Sequence, residues 1–348
     1  MDETKFNPAG PFGFPKADVA DHPAEPAHAR PEYLERGEIE KKGYHVEEIG
    51  SGSGFYWVTN SFYDAAFVRT GQGVIAIDAP PNLGEFMLSA IEEVTDEPVT
   101  HAIYSHWHSD HIGAAAMYGP DVKIISHQIT HDLLKRWPDP LRPLPTETFT
   151  DEATLDVGGV KLELSYKGEN HCPGNIFIYA PEQKALAAID IVSPGWSVFF
   201  HCDASENITG WIDAHDQILD YDFDVIVGGH QTRYGTREDV LAHREYVHDI
   251  VDHSWDVLRE ELGNELMAEA GPLNRWTWAE NQFNHMANLV THRTLTKDTS
   301  TGQKWNERLG GASNMTKYHA WTIMESLRLH RGHDDYQRRG PEQPKFIW

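Results

Sequence analysis

The run Ser105-His106-Trp107-His108-Ser109-Asp110-His111 places four metal-ligating side chains within six residues, directly after the apolar, strand-like Ile103 and Tyr104. Imidazoles and a carboxylate on a short loop after a strand can converge on cations, whereas the same groups along a helix would scatter around it. Three more candidates sit at strand ends. His171 opens His171-Cys172-Pro173-Gly174-Asn175, where Pro and Gly force a turn before a strand. Asp190 follows the apolar run 185–189, and His230 follows Val225-Ile226-Val227-Gly228-Gly229. Four such groups in one motif and three more at strand ends point to a metal centre built from neutral imidazole and carboxylate. The two cysteines, Cys172 and Cys202, are too few for a thiolate site or a disulfide framework. Cys172 reads as a small buried side chain.

The elements that must position these groups follow from period. Short β-rich runs at 73–77, 99–104, 122–125, 160–164, 175–179, 185–191 and 224–227 alternate with helical patterns such as 83–94. That alternation predicts a layered α/β domain over 46–240, with sheets inside and helices outside. Residues 1–45 carry many prolines and charges without sustained period and read as an extended arm, with Phe6, Phe12, Phe14 and Tyr33 available to pack on a neighbour. Residues 241–348 are helical in texture. Thr236 and Asp239 form a capping box, Val240, Val247, Val251, Leu258 and Leu262 recur at helical spacing, and two further patterns cover 276–290 and 315–329. This extension is expected to serve as a lid over the site or as a homodimer interface. Its histidines, such as His285, His292, His319 and His330, read as surface or hydrogen-bonded core.

A chain of 348 residues with 40% hydrophobic content can bury a core, and no run approaches the length of a membrane span. Residues 1–30 lack the basic-then-apolar order of a signal peptide, so a cytoplasmic protein is expected. With 54 acidic against 29 basic side chains, the formal charge is −25. Such a surface repels polyanions, which argues against nucleic-acid partners and for a small, uncharged or cationic substrate.

The ligand pattern resembles the metallo-β-lactamase fold superfamily, over about 46–240 and at every ligand position. The resemblance implies a four-layer αβ/βα sandwich, here with a C-terminal helical extension, and two divalent cations, zinc first. It implies His106, His108 and His171 on one ion, Asp110, His111 and His230 on the other, and Asp190 bridging them. Asp78, after the 73–77 strand, would support the site loop, with Gly113 a weaker echo of the same pattern. The implied chemistry is hydrolysis by a zinc-bound hydroxide that Asp110 orients and whose proton it can shuttle. A bridging Asp at 190 is similar to hydroxyacylglutathione hydrolases and acyl-homoserine lactonases, and so favours lactones, esters and related acyl bonds. β-Lactam, thioester and haloaromatic hydrolysis on the same site are the alternatives, as is iron-dependent oxidation of a thiol or persulfide. Lactonases of this fold carry a Tyr three residues beyond the bridging Asp, where this chain has Ser193. Oxyanion stabilisation therefore falls to Tyr56, Tyr63 or the metals. Trp107, Trp196, Phe199 and Phe200 are expected to wall an apolar pocket, with Phe55 and Tyr56 on a hairpin loop over it.

Overall fold

The computed structural model describes residues 26–35, 37–260 and 274–330; Phe6, Phe12, Phe14 and Leu262 lie outside them. Seven strands form one sheet in the order β1 (His45–Glu48), β2 (Phe55–Thr59), β3 (Asp64–Arg69), β4 (Val74–Ile77), β5 (Val99–Ile103), β6 (Lys123–His127) and β7 (Glu147–Phe149). The first four pair antiparallel and the last four parallel. A second sheet runs β12 (Val225–Val227), β11 (Ala185–Ala187), β10 (Phe177–Ala180), β9 (Val160–Ser165) and β8 (Glu152–Val157), antiparallel except where β11 meets β12.

Alternation along each strand sorts its side chains between two cores. Phe55, Trp57, Ile75, Ile77 and Ile103 face Leu162, Leu164, Ile178, Ala187 and Val227 between the sheets. Their neighbours Tyr56, Val58, Phe67, Val74 and Ala102 face outward, onto Met87, Ala90 and Ile91 of α1 (Glu85–Val94). On the other flank Phe177, Leu186 and Ile226 meet Trp211, Ile212 and Ile218 of α3 (Ile208–Leu219), which follows α2 (Gln128–Arg136) in the chain. The result is helix, sheet, sheet, helix. Both faces of the central strands are buried, so they read as continuous apolar runs.

Three long helices, α4 (Arg237–Arg259), α5 (Arg275–Thr296) and α6 (Ala312–His330), extend that last core, contributing Val240, Tyr246, Trp255, Val290, Ile323 and Leu327. The capping box at Thr236 and Asp239 starts α4. No helix among the described residues is long and apolar enough to cross a membrane. Two expectations need correction. Phe55 and Tyr56 lie in β2, buried, and not in a loop; the hairpin turn is residues 60–63. The run 185–191 stops being a strand at Ala187, because Asp190 adopts a left-handed backbone, φ 63°.

The helical layer buries histidines. His215 on α3 and His243 on α4 stack with rings 5° from parallel, Nε2 to Nδ1 2.8 Å, and His319 Nε2 donates to the Phe199 carbonyl at 2.8 Å. Burial pushes His215 and His319 each down to about 4. A histidine that protonates more readily unfolded than folded contributes stability that is complete above the ordinary value of 6.5 and is lost as pH falls toward 4. Wild-type protein is therefore expected to lose about 2 kcal/mol more between pH 7 and 5 than a His319→Gln variant. Comparing Tm for the two proteins at both pH values checks this, because effects of the metal-centre carboxylates cancel; equal losses would contradict it.

Candidate metal centre

The loop after β5 is braced from beneath. Ser105 N–H and Oγ–H donate to the two oxygens of buried Asp78 at 2.8 and 2.6 Å. With its proton committed there, Ser105 Oγ accepts from His106 Nδ1 (2.9 Å), which leaves the His106 Nε2 lone pair facing inward, buried and without a partner. The same logic orients two more rings. Ser205 Oγ–H donates to the Cys202 carbonyl and so accepts from His171 Nδ1 at 3.2 Å. His230 Nδ1 donates to the Phe62 carbonyl at 3.2 Å. In each case Nε2 presents a lone pair to the cavity.

Those lone pairs meet at Asp190, which is 3% exposed. Its Oδ2 lies 3.1 Å from His111 Nε2, 3.2 Å from His171 Nε2 and 3.5 Å from His106 Nε2, while Oδ1 lies 3.3 Å from His230 Nε2. His108 turns Nδ1 to within 3.0 Å of His171 Nε2, with the Glu206 carboxylate 3.6 Å from its other nitrogen. Nε2 of His111 and of His230 are 3.2 Å apart. Ligands placed 2.0–2.1 Å from a tetrahedral cation are about 3.3 Å from one another, so these separations fit donors awaiting an ion. Two groupings stand out: His106, His108 and His171 with Cys172, and Asp110, His111 and His230, with donors in each within 4.8 Å of one another.

Electrostatics agree with this reading. Burial holds the imidazoles of His106 and His171 well below their ordinary range, in the neutral, ligating form. It raises Asp190 to about 7, opposed by His230 and reinforced by Asp110. It also pushes up the Cys172 thiol, which favours the neutral form. A cluster of neutral imidazoles around reluctant carboxylates is resolved by cations, whose charge favours the ionised acids. The residues present therefore fit two divalent ions.

Gly229 makes the approach possible. Its φ is 91°, and a Cβ there would stand 2.6 Å from Ile189 and 3.0 Å from Asp190 Oδ1. Only glycine lets the strand end pass under the carboxylate.

Residues 58–230 match the metallo-beta-lactamase superfamily by sequence, and every donor described above falls inside that span. The chain belongs to the metallo-beta-lactamase superfamily. It is similar to 2,4-dinitroanisole O-demethylase subunit alpha of Nocardioides sp. (strain JS1661), 28% identical over 186 residues, which are 52% of this chain and 56% of that protein. The chain thus spans about half the length of that relative. Among solved structures it is similar to the metallo-beta-lactamase IND-7 (TM-score 0.50, 17% identity, covering 58% of this chain and 98% of that one). It is similar also to a metallo-beta-lactamase from Pontibacter korlensis (TM-score 0.49, 23% identity, covering 57% and 95%).

In this superfamily member a cavity of about 540 Å³ opens onto the centre. His108, Asp110, His171, Asp190 and His230 form its floor, with Phe62, Tyr63, Phe199, Phe200, Asp203 and Ala204 around them. Phe199 and Phe200 thus line it, and Trp107, Trp196 and Tyr56 do not. Tyr56 points to the opposite face of β2 and stacks on Phe67, centroids 4.9 Å apart. The turn at 193–196 sends Trp196 away, its Nε1 donating to Thr232 Oγ1 at 3.2 Å and its ring against Gly310. Trp107 packs beside the outer core of the first sheet. The sequence reading did not single out Phe62, Asp203 or Glu206. Phe62 had a signal: Asn60-Ser61 marks a turn, and Asn60 Oδ1 accepts from the N–H groups of both Phe62 and Tyr63, aiming the two rings at His230.

Proposed function

We propose that the chain is a hydrolase that takes two divalent cations, zinc foremost, and cleaves an ester, lactone or related acyl bond of a small molecule with an apolar or aromatic portion. The observation that carries this reading is the buried carboxylate of Asp190, facing four imidazoles at the floor of an aromatic-walled cavity. His106, His108 and His171 would hold one ion, Asp110, His111 and His230 the other, with Asp190 shared. Imidazole with carboxylate suits zinc. When bound, the cations would acidify a water and polarise the attacked group.

The chain's own residues divide the remaining work. Asp110 stands at the cavity edge with its side chain 46% exposed, where it can receive the attacking water's proton and release it to solvent. Tyr63 brings its hydroxyl to 3.5 Å from Asp110 Oδ2. Burial, with Asp110, Asp190 and Asp203 nearby, raises its phenol and keeps it a donor, so it can serve the oxygen that gains charge. This role answers the Ser193 departure. Phe62, Phe199 and Phe200 exclude water and hold the apolar portion of the substrate.

A second reading is favoured by the O-demethylase relative. The same centre would attack an electron-poor aromatic carbon and expel an alkoxide, working with a second subunit. Zinc-loaded protein should be assayed on phenyl acetate, a homoserine lactone and 2,4-dinitroanisole in ¹⁸O-water. Turnover that vanishes on chelation, returns with zinc and labels the carboxylic acid is the expected result. Label in the phenol would establish the second reading, and oxygen consumption with a thiol by iron-loaded protein would replace both.

A further inference from the structure

We propose that Asp203 is an eighth ligating side chain of this centre, presented to the second cation by a left-handed turn that α6 clamps. The inference rests on the dinuclear reading above. Asp203 is 7% exposed, lines the same cavity, and its Oδ2 has no hydrogen-bond partner. Its carboxylate forms a further grouping with Asp190 and His230, with donor atoms within 4.8 Å of one another. Buried carboxylate oxygens are normally partnered, and this one faces the ions' side of the cavity instead.

The backbone that carries it is unusual. His201, Cys202, Asp203 and Ala204 have φ of 56°, 58°, 61° and 52°. Four consecutive left-handed residues, none of them glycine, are disfavoured one by one for L-amino acids and persist only where surroundings over-determine them. The surroundings here are the C-terminal helix. His319 Nε2 donates to the Phe199 carbonyl at 2.8 Å, His201 Nδ1 lies 2.7 Å from Thr322 Oγ1, and Phe200 meets the Tyr318 ring edge-on at 4.7 Å. On the opposite side the chain leaves the turn through Ser205, which fixes His171, and Glu206, which faces His108. A right-handed continuation from Phe199 would move Asp203, Ser205 and Glu206 together. The turn thus couples the helical layer to both halves of the centre.

The test is Zn²⁺ titration against a chromophoric chelator, with metal content of the isolated protein, for wild type, Asp203→Asn and Thr322→Val. Asparagine is isosteric and tolerates the left-handed region, so the first variant should fold, and Tm without metal will report that. Thr322 lies on α6 behind the turn and lines no part of the cavity. The expected result is a first ion bound as in wild type and a second weakened by at least about tenfold in Asp203→Asn, with a smaller loss in the same direction in Thr322→Val. Wild type and Asp203→Asn both holding two ions with affinities within twofold would overturn the ligand assignment while leaving the dinuclear reading intact. An unaffected second ion in Thr322→Val would overturn the clamp. Wild type that binds fewer than two ions would remove the dinuclear reading and this inference with it.

Discussion

Asp110→Asn is expected to lower kcat by about 10²–10⁴-fold at saturating substrate and to leave the fold unchanged. Asp110 Oδ2 lies 3.6 Å from His111 Nε2 and 4.0 Å from His230 Nε2, while its other face meets solvent at the cavity edge. Asparagine keeps the shape and one acceptor oxygen but cannot take a proton and donates less charge to a cation. Because the side chain is half exposed, neutralising it removes little from the core, and Tm without metal should move by no more than about 1–2 °C. Loss confined to kcat, with KM little changed, would mark a group used in the transition state; a rise in KM alone would mark binding. The decisive combination is kinetics together with metal content. A variant that holds two ions and turns over at near-wild-type rate would remove Asp110 from the proton path.

The parts of this centre that could be read from sequence are those whose chemistry and local backbone speak together. His106, His108, Asp110 and His111 crowd one loop, His171 opens a Pro-Gly turn just before a strand, and Asp190 and His230 each follow an apolar run, so composition and period coincide. The buried parallel strands β4, β5, β6, β11 and β12 were legible for the same reason, whereas the short, exposed β7 was not. β2 was not: Phe55–Thr59 is buried on both faces yet lies between Gly50, Gly52, Gly54 and Asn60, whose turn signals outweigh five residues of pattern. Tyr56 shows the consequence: a shift of one residue along this strand exchanges one core for the other, and neither face meets the cavity. Asp203 had no signal at all. A left-handed turn is ordinarily announced by Gly or Asn, and Phe200-His201-Cys202-Asp203-Ala204 contains neither. Its conformation is imposed by α6 from more than a hundred residues away. Local rules are broken most where tertiary structure holds a functional group in place.

Asp190 is likewise left-handed, φ 63°, and its replacement should show function and stability pulling apart. Asp190→Asn is expected to raise the Tm of metal-free protein while abolishing its response to zinc and lowering kcat/KM by at least about 10³-fold. Asp190 N–H donates to the Gly228 carbonyl at 3.0 Å and its own carbonyl accepts from Trp211 Nε1 at 3.0 Å, so the backbone stays anchored whatever the side chain. Asparagine also tolerates the φ of 63° better than most residues. Without cations the native carboxylate is buried, with Oδ1 unpartnered, and its acidity is weakened to about 7. A carboxyl that ionises near pH 4 unfolded but near 7 folded costs stability that grows across that interval and is complete above it, on the order of 4 kcal/mol. The asparagine amide avoids that cost, because with its nitrogen at the Oδ2 position its two N–H groups face the His111 and His171 Nε2 atoms 3.1 and 3.2 Å away. The gain in Tm should therefore be largest at pH 8 and vanish toward pH 4. Zinc is expected to reverse the order, stabilising wild type by binding only the folded state and finding no shared anionic ligand in the variant. Thermal melts with chelator and with zinc at both pH values decide the matter. A variant that melts lower than wild type in chelator at pH 8, or gains as much from zinc, would show that Asp190 supports the fold instead of the metals.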